Sequence, residues 1–209
     1  NGRILGLTGT PPKNAMSEKY NMVDKYCPIV YTYTVDDATE DKILNDYKIF
    51  IHTLSLSTSL SLEKKRKDGG FWYSSESKDY NWLSNKVQEA HSQKQKQFSA
   101  IMRMRGLMEY TTKEKYTRKL LRNINGKCLV FCNTIAQSDK LCAHSYNSKN
   151  KKSKDNLELF SNGSIDRLSC VLQLSEGISI PDLKQGIILH SYGNERKSAQ
   201  RIGRLLRLN

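Results

Sequence analysis

The sequence predicts an α/β fold built on a mostly parallel, doubly wound sheet, with a helical basic insertion. Three observations carry this expectation. Cys128-Leu129-Val130-Phe131-Cys132 is an unbroken apolar run of strand length, the pattern of a strand buried on both faces. From Lys127 onward such runs alternate with amphipathic helical stretches, the rhythm of a parallel sheet with crossover helices. Each apolar run also ends in small, hydroxyl-bearing or Gly residues, where such sheets bind their ligands.

Taken in order, Arg3–Leu7 reads as a strand stopped by Thr8-Gly9-Thr10-Pro11-Pro12, because proline cannot continue a ladder. Ile29–Val35 is β-branched and aromatic and predicts a strand. Glu40–Asp46 predicts a short polar helix, and the alternation in Lys48–Leu56 a further strand. Ser57–Ser77 reads as a loop or insertion. Its run Lys64-Lys65-Arg66-Lys67 suits either a solvated loop or a binding patch. Trp82–Met108 is helical, with Leu83, Val87 and Ala90 on one face. Phe98, Ile101, Met102 and Arg105 continue a face after a Gln/Lys break, and Gly106 is expected to end or kink the helix. Thr111–Ile124 is a second amphipathic helix, carrying Tyr116, Leu120, Leu121 and Ile124. After the 128–132 strand come a helix over Ile135–Ala143, with Asp139 and Lys140 exposed, and a short strand at His144–Tyr146. A basic loop (Lys149–Lys154), a helical turn (Leu157–Phe160) and strands at Leu168–Leu172 and Gly186–His190 follow. A final amphipathic helix spans Glu195–Leu208.

The 209 residues carry 34 Lys and Arg against 21 Asp and Glu, a net charge of +13. Such a surplus fits a polyanionic partner, nucleic acid or an anionic membrane surface. Over half of it lies between Lys86 and Lys127, where eleven basic residues face three acids. There Lys94, Lys96, Arg103 and Arg105 are expected to reach solvent or a bound duplex, and an ordinary basic surface is the competing reading. No apolar run approaches the roughly 18 residues of a membrane span. With 37% hydrophobic residues, two Trp, eleven Tyr and five Phe, the chain is no disordered tail. The five cysteines read as buried free thiols of a reducing compartment. The histidines at 52, 91, 144 and 190 show no ligand spacing, so no metal site is expected.

The strand tips are Thr8-Gly9-Thr10, Asn133-Thr134, Ser175–Pro181 and Ser191–Asn194. They are suited to close approach of a phosphate backbone. In Gln200-Arg201-Ile202-Gly203-Arg204-Leu205-Leu206-Arg207, the arginines at 201, 204 and 207 recur every three residues and share one side of a helix. Three guanidiniums so close suit an anion opposite them. They also suit a basic, solvated helix end.

These residues resemble a known set. Thr8-Gly9-Thr10-Pro11-Pro12 resembles helicase motif III, and Leu129–Thr134 motif IV. Ser175-Glu176-Gly177-Ile178-Ser179-Ile180-Pro181 resembles motif V. Gln200–Arg207 matches the Q-x-x-G-R-x-x-R of motif VI. Four motifs in this order resemble the second, RecA-like lobe of superfamily 2 helicases and translocases, of the DEAD/DEAH-like and phage recombination kind. The resemblance implies four segments. Residues 1–14 would end the first lobe, 15–56 begin the second, 57–110 form an insertion and 111–209 complete the second lobe.

It also implies roles. Arg204 and Arg207 would be arginine fingers on the γ-phosphate of ATP, with Gln200 positioning nucleotide or water. Glu176, Gly177, Thr8, Thr10 and Arg201 would couple nucleotide state to the bound strand and to the other lobe. Asn133, Thr134 and Ser175 would touch the nucleic-acid backbone. Ser179 stands where many relatives carry Asp. A phosphate-cradling G-x-x-x-x-G-K-[ST] loop is missing from the sequence, as is an Asp-Glu pair for Mg²⁺. Those parts belong to the first lobe, so the chain reads as a C-terminal fragment with little turnover of its own. The implied cofactors are ATP and Mg²⁺, the latter held by the first lobe. The implied partners are nucleic acid, DNA ahead of RNA, and the N-terminal RecA-like lobe, with no membrane and an intracellular (cytoplasmic or nucleoid-associated) location. Two alternatives stand beside this reading: a non-catalytic nucleic-acid-binding module, and a motor subunit of a restriction or remodelling complex.

Overall fold

The computed structural model describes residues 6, 11–12, 14–44, 46–66, 68–171 and 180–189. It divides into two units, residues 1–49 with 191–209, and residues 50–190.

In the first unit, Ser17 caps α1 (Glu18–Tyr26), its hydroxyl accepting the Tyr20 N–H at 3.2 Å. The strand expected at Ile29–Val35 does not form. Ile29–Thr34 is irregular, and Val35 opens a helix, α2 (Val35–Glu40). A reciprocal cap decides this: Asp37 N–H donates to Thr34 Oγ1 at 3.1 Å, and Thr34 N–H donates to Asp37 Oδ2 at 2.7 Å. Two helix-end donors are satisfied locally, which outweighs the strand preference of Val and Tyr. The helix expected at Glu40–Asp46 is thus shifted toward the N-terminus. Apart from Gly6, the strand expected at Arg3–Leu7 lies outside the described residues, as does the Glu195–Leu208 helix.

In the second unit, the strand expected at Lys48–Leu56 is also absent, and Phe50 and Ile51 are exposed. Strand propensity is realised only where a neighbour completes the ladder. The expected loop at 57–77 instead contains an antiparallel hairpin of β1 (Leu62–Lys65) and β2 (Phe71–Ser74). Its turn uses Gly69 at φ +90° and a bond from Gly70 N–H to Asp68 Oδ1 of 3.0 Å. The ion pair of Lys64 with Asp79, at 2.7 Å, ties the hairpin to α3 (Glu76–Gln88).

α4 (Gln93–Glu109) packs on α3 with an unexpected face. Phe98, Ile101 and Met102 are exposed, whereas Ser99, Ala100, Arg103, Gly106 and Leu107 are half-buried. Arg103 is held on that side by α3, donating to Ser84 Oγ at 3.4 Å and lying over the Tyr80 ring. Gly106 does not end α4, which runs on to Glu109. A Cβ there would meet Tyr110 Oη at 3.1 Å, and Tyr110, buried, donates that hydroxyl to Asp79 at 2.9 Å.

α5 (Thr111–Asn123) begins immediately after, and one α3 carboxylate ties its start to residue 57. Glu76, 1% exposed, accepts from Ser57 N–H (3.1 Å), Thr112 N–H (3.0 Å), Thr112 Oγ1 (2.6 Å) and Thr111 Oγ1 (3.3 Å).

The remaining elements are β3 (Cys128–Cys132), α6 (Ile135–Leu141), β4 (Ser145–Tyr146), α7 (Ser153–Ser161), β5 (Arg167–Val171) and β6 (Gln185–Ile188). They follow the sequence expectation within a few residues, with α7 longer than the single turn expected. The sheet is parallel throughout, in the order β4-β5-β3-β6. β3 is central and buried at every position. One face of the core gathers Cys128, Val130, Cys132, Leu141, Cys142 and Leu189, flanked by Leu121 and Ile124 of the α5 end. Arg167 anchors that end by donating to the Leu121 and Ile124 carbonyls. All five cysteines are free; four are buried as expected, and Cys27 is half-buried. Burial pushes the Cys128 and Cys142 thiols up to about 11, keeping them in the unreactive protonated form.

Candidate nucleic-acid interface

Parallel strands share one carboxyl edge. Cys132 pairs with Val171 and Phe131 with Ile188, and Leu189 N–H donates to Phe131 O at 3.1 Å. Chain therefore leaves β3 into Asn133-Thr134 beside the points where it leaves β5 and β6. In sequence, those exits lead toward Ser175-Glu176-Gly177 and toward Gln200, Arg201, Arg204 and Arg207. These seven residues, with Thr8 and Thr10, lie outside the described residues.

At the β3 tip, two side chains are committed to local structure. Thr134 Oγ1 accepts the Gln137 N–H at 3.2 Å and caps α6. Gln137 Oε1 accepts the Asn133 N–H at 3.2 Å, and Gln137 Nε2 donates to the Met108 carbonyl. Asn133 differs: the residue is 8% exposed, and neither Oδ1 nor Nδ2 has a hydrogen-bond partner among the described residues. A buried polar group left unpaired costs about 1–3 kcal/mol, so such a group at the carboxyl edge, where open α/β sheets in general bind ligands, is a candidate ligand contact. Asn133→Ala should leave the thermal midpoint unchanged or raised while weakening nucleic-acid binding about tenfold, the worth of one charge-assisted hydrogen bond. Thermal unfolding and fluorescence anisotropy on a labelled oligonucleotide check this. A lower midpoint with intact binding would assign Asn133 to the core.

A second polar cluster follows β4 and was not singled out by sequence reasoning. Asn147, buried, donates through Nδ2 to Asp139 Oδ1 (3.2 Å) and Ser145 Oγ (3.1 Å). Its Oδ1 accepts the N–H groups of Lys149 and Asn150, both at 3.0 Å. Asn150 Nδ2 donates to Ser145 O at 3.0 Å. An open cleft of about 390 Å³ lies here, lined by Asp139, Ser145, Asn147, Lys149 and Asn150 among others. The amides are spent holding the turn, which presents Lys149, Lys151 and Lys152 to solvent. The signal in the sequence was two asparagines three apart directly after a strand.

On α4, Lys94, Lys96 and Arg105 are exposed. Lys94 and Arg105 are eleven residues apart and so share a face, while Lys96 projects from another. Arg103 does not reach solvent as expected. It is half-buried, donates to Ser84 Oγ at 3.4 Å and lies over the Tyr80 ring at 5.7 Å. Among the described residues no cluster of three His, Cys, Asp or Glu could hold a metal, and no helix is long and apolar enough to cross a membrane.

Comparison with known proteins adds to this geometry. Residues 112–209 match the helicase conserved C-terminal domain. The chain is 25% identical to a protein named DNA 3'-5' translocase XPB2 from Sulfurisphaera tokodaii, over 97% of this chain and 49% of that protein. It thus spans about half the length of this relative. A solved structure, the helicase domain of Pyrococcus furiosus Hef, superposes with a TM-score of 0.37 at 17% identity, covering 60% of this chain and 31% of that one. Residues 112–209, which include the parallel sheet from β3 onward, thus match the helicase conserved C-terminal domain, and the chain is similar to the C-terminal lobe of superfamily 2 helicases and translocases.

Proposed function

We propose that this lobe works in an ATP-dependent motor that moves on DNA inside the cell. The observation that carries the reading is the family match over residues 112–209, which spans both the β3 tip and the Q-x-x-G-R-x-x-R segment. Arg204 and Arg207 would meet the γ-phosphate of ATP, with Gln200 beside them. Thr8, Thr10, Glu176, Gly177 and Arg201 would couple nucleotide state to the track. Asn133, Thr134 and Ser175 would hold the DNA backbone. ATP and Mg²⁺ would be gripped mainly by a first lobe, whose end would be residues 1–14. Residues 15–56 and 111–209 would make up the second lobe around an insertion at 57–110. DNA is favoured as track because the XPB2 relative is named a DNA translocase.

The 209 residues alone are expected to bind DNA with a steep salt dependence and to hydrolyse no ATP, because they carry no phosphate-cradling loop. Robust DNA-stimulated hydrolysis by the chain alone would refute this division of labour.

If the insertion grips phosphates, changing Lys94, Lys96 and Arg105 to Ser should flatten the log–log salt slope by about two to three units. Adding Arg103→Ser should change the slope little further, because that guanidinium already packs on α3. Affinity should fall equally on all sequences, since phosphate contacts carry no base information. An unchanged slope would leave DNA contact to the strand tips.

A further inference from the structure

The β1–β2 hairpin has two unlike faces. Strand alternation puts Leu62, Lys64, Trp72 and Ser74 on one side. That side holds the Lys64–Asp79 ion pair, and Ser74 is buried. Glu63, Lys65, Phe71 and Tyr73 occupy the other side, and all four are exposed, Phe71 at 57% and Tyr73 at 58%. The register sets Lys65 opposite Phe71 and Glu63 opposite Tyr73. Tyr73 Oη donates to Glu63 Oε2 at 3.3 Å, which orients that ring. Arg66 follows at the turn, also exposed.

We infer that this outer face is a stacking platform for single-stranded nucleic acid, Phe71 and Tyr73 each taking one unpaired base while Lys65 and Arg66 meet the phosphates. The inference rests on the nucleic-acid reading above. Its chemistry is distinct from the strand tips, which suit the backbone alone. The face carries two aromatic rings and no aliphatic side chain. Rings interleaved with Lys and Arg are what strand binding without sequence preference uses, because every base has a π-face. Trp82 on α3 is a weaker candidate, since Lys86 Nζ already lies 4.0 Å from its ring centre.

The test compares binding of the whole chain to oligothymidylate and to an abasic deoxyribose-phosphate oligomer of equal length. Wild type should prefer the strand with bases. The double variant Phe71→Ala, Tyr73→Ala should lose about 30-fold or more on oligothymidylate, at roughly 1–3 kcal/mol per stacked base. It should bind the abasic strand as before. Phe71→Trp, Tyr73→Trp should keep the preference. Both residues are largely exposed, so the alanine variant is expected to fold normally. Equal wild-type affinity for the two strands would overturn the platform while sparing the nucleic-acid reading, as would an unaffected double variant. A wild type that binds neither strand would overturn both.

Discussion

Arg204→Ala, in a protein that carries both lobes, is expected to lower kcat for ATP hydrolysis by about 10³–10⁵-fold, the usual worth of an arginine finger. Arg207→Ala should act similarly. A finger meets charge that develops only in the transition state, so the loss should fall on kcat rather than on ATP affinity. Nucleic-acid affinity should stay within a few-fold. Steady-state ATPase assays paired with oligonucleotide anisotropy separate the outcomes. If either variant lost mainly nucleic-acid binding and kept its kcat, the arginines would belong to the track. The non-catalytic binding-module reading would then replace the motor.

The second large effect is on stability. Glu76→Ala is expected to cost about 3–5 kcal/mol, because it strands buried donors on two separate segments. The carboxylate accepts from Ser57 on the approach to the hairpin and from Thr111 and Thr112 at the start of α5. Burial by itself would raise the Glu76 pKa. The donors on Thr112, Ser57 and Thr111 outweigh it and hold the carboxyl below its ordinary value. A depressed folded-state pKa contributes stability above the unfolded value of about 4.3, and this is lost as pH falls through the folded pKa. Wild type should therefore lose its advantage over Glu76→Gln as the pH falls below about 4. Urea unfolding of both proteins at neutral and acid pH measures this. An equal gap at all pH values would mean that the charge is not what the clasp uses. Lys113 reports on the same site: burial lowers its pKa, and Glu76 opposes that shift.

Glu76 also shows where sequence reading stops. A glutamate at the start of a helix looks like an ordinary N-terminal acid. Its partners lie 19 and 36 residues away, and nothing local announces them. The sheet was legible for the opposite reason. Cys128–Cys132 is apolar at every position because it is buried on both faces, so burial is written directly in composition. β5 carries the same signal at Leu168 and Cys170, whereas the residues that α5 buries fully are Glu114 and Thr117, with Tyr116, Leu120 and Leu121 half-buried.

Expectations failed where a preference needed a partner. Ile29–Val35 and Lys48–Leu56 have strand composition, but a strand is stabilised only by a neighbouring ladder, and Thr34 with Asp37 offered the first segment a helix cap instead. On α4, periodicity marked Phe98, Ile101 and Met102 as the packing face. The half-buried face is instead that of Ser99, Ala100, Arg103 and Gly106, where a Cβ on Gly106 would meet Tyr110 and the Asp79 carboxylate of α3.

The candidate site divides in the same way. Asn133 and Thr134 could be named from sequence because they follow a strand and match a motif. Their difference could not: Thr134 spends its hydroxyl on a cap, whereas Asn133 keeps a buried amide with no partner among the described residues. The sequence by itself determined the α/β class, the central strand and the helicase motifs, since each is encoded in local spacing or in contiguous residues. Only tertiary structure decided which helix face is covered, which charges are spent and which buried amide is unpaired, because each depends on groups distant in the chain.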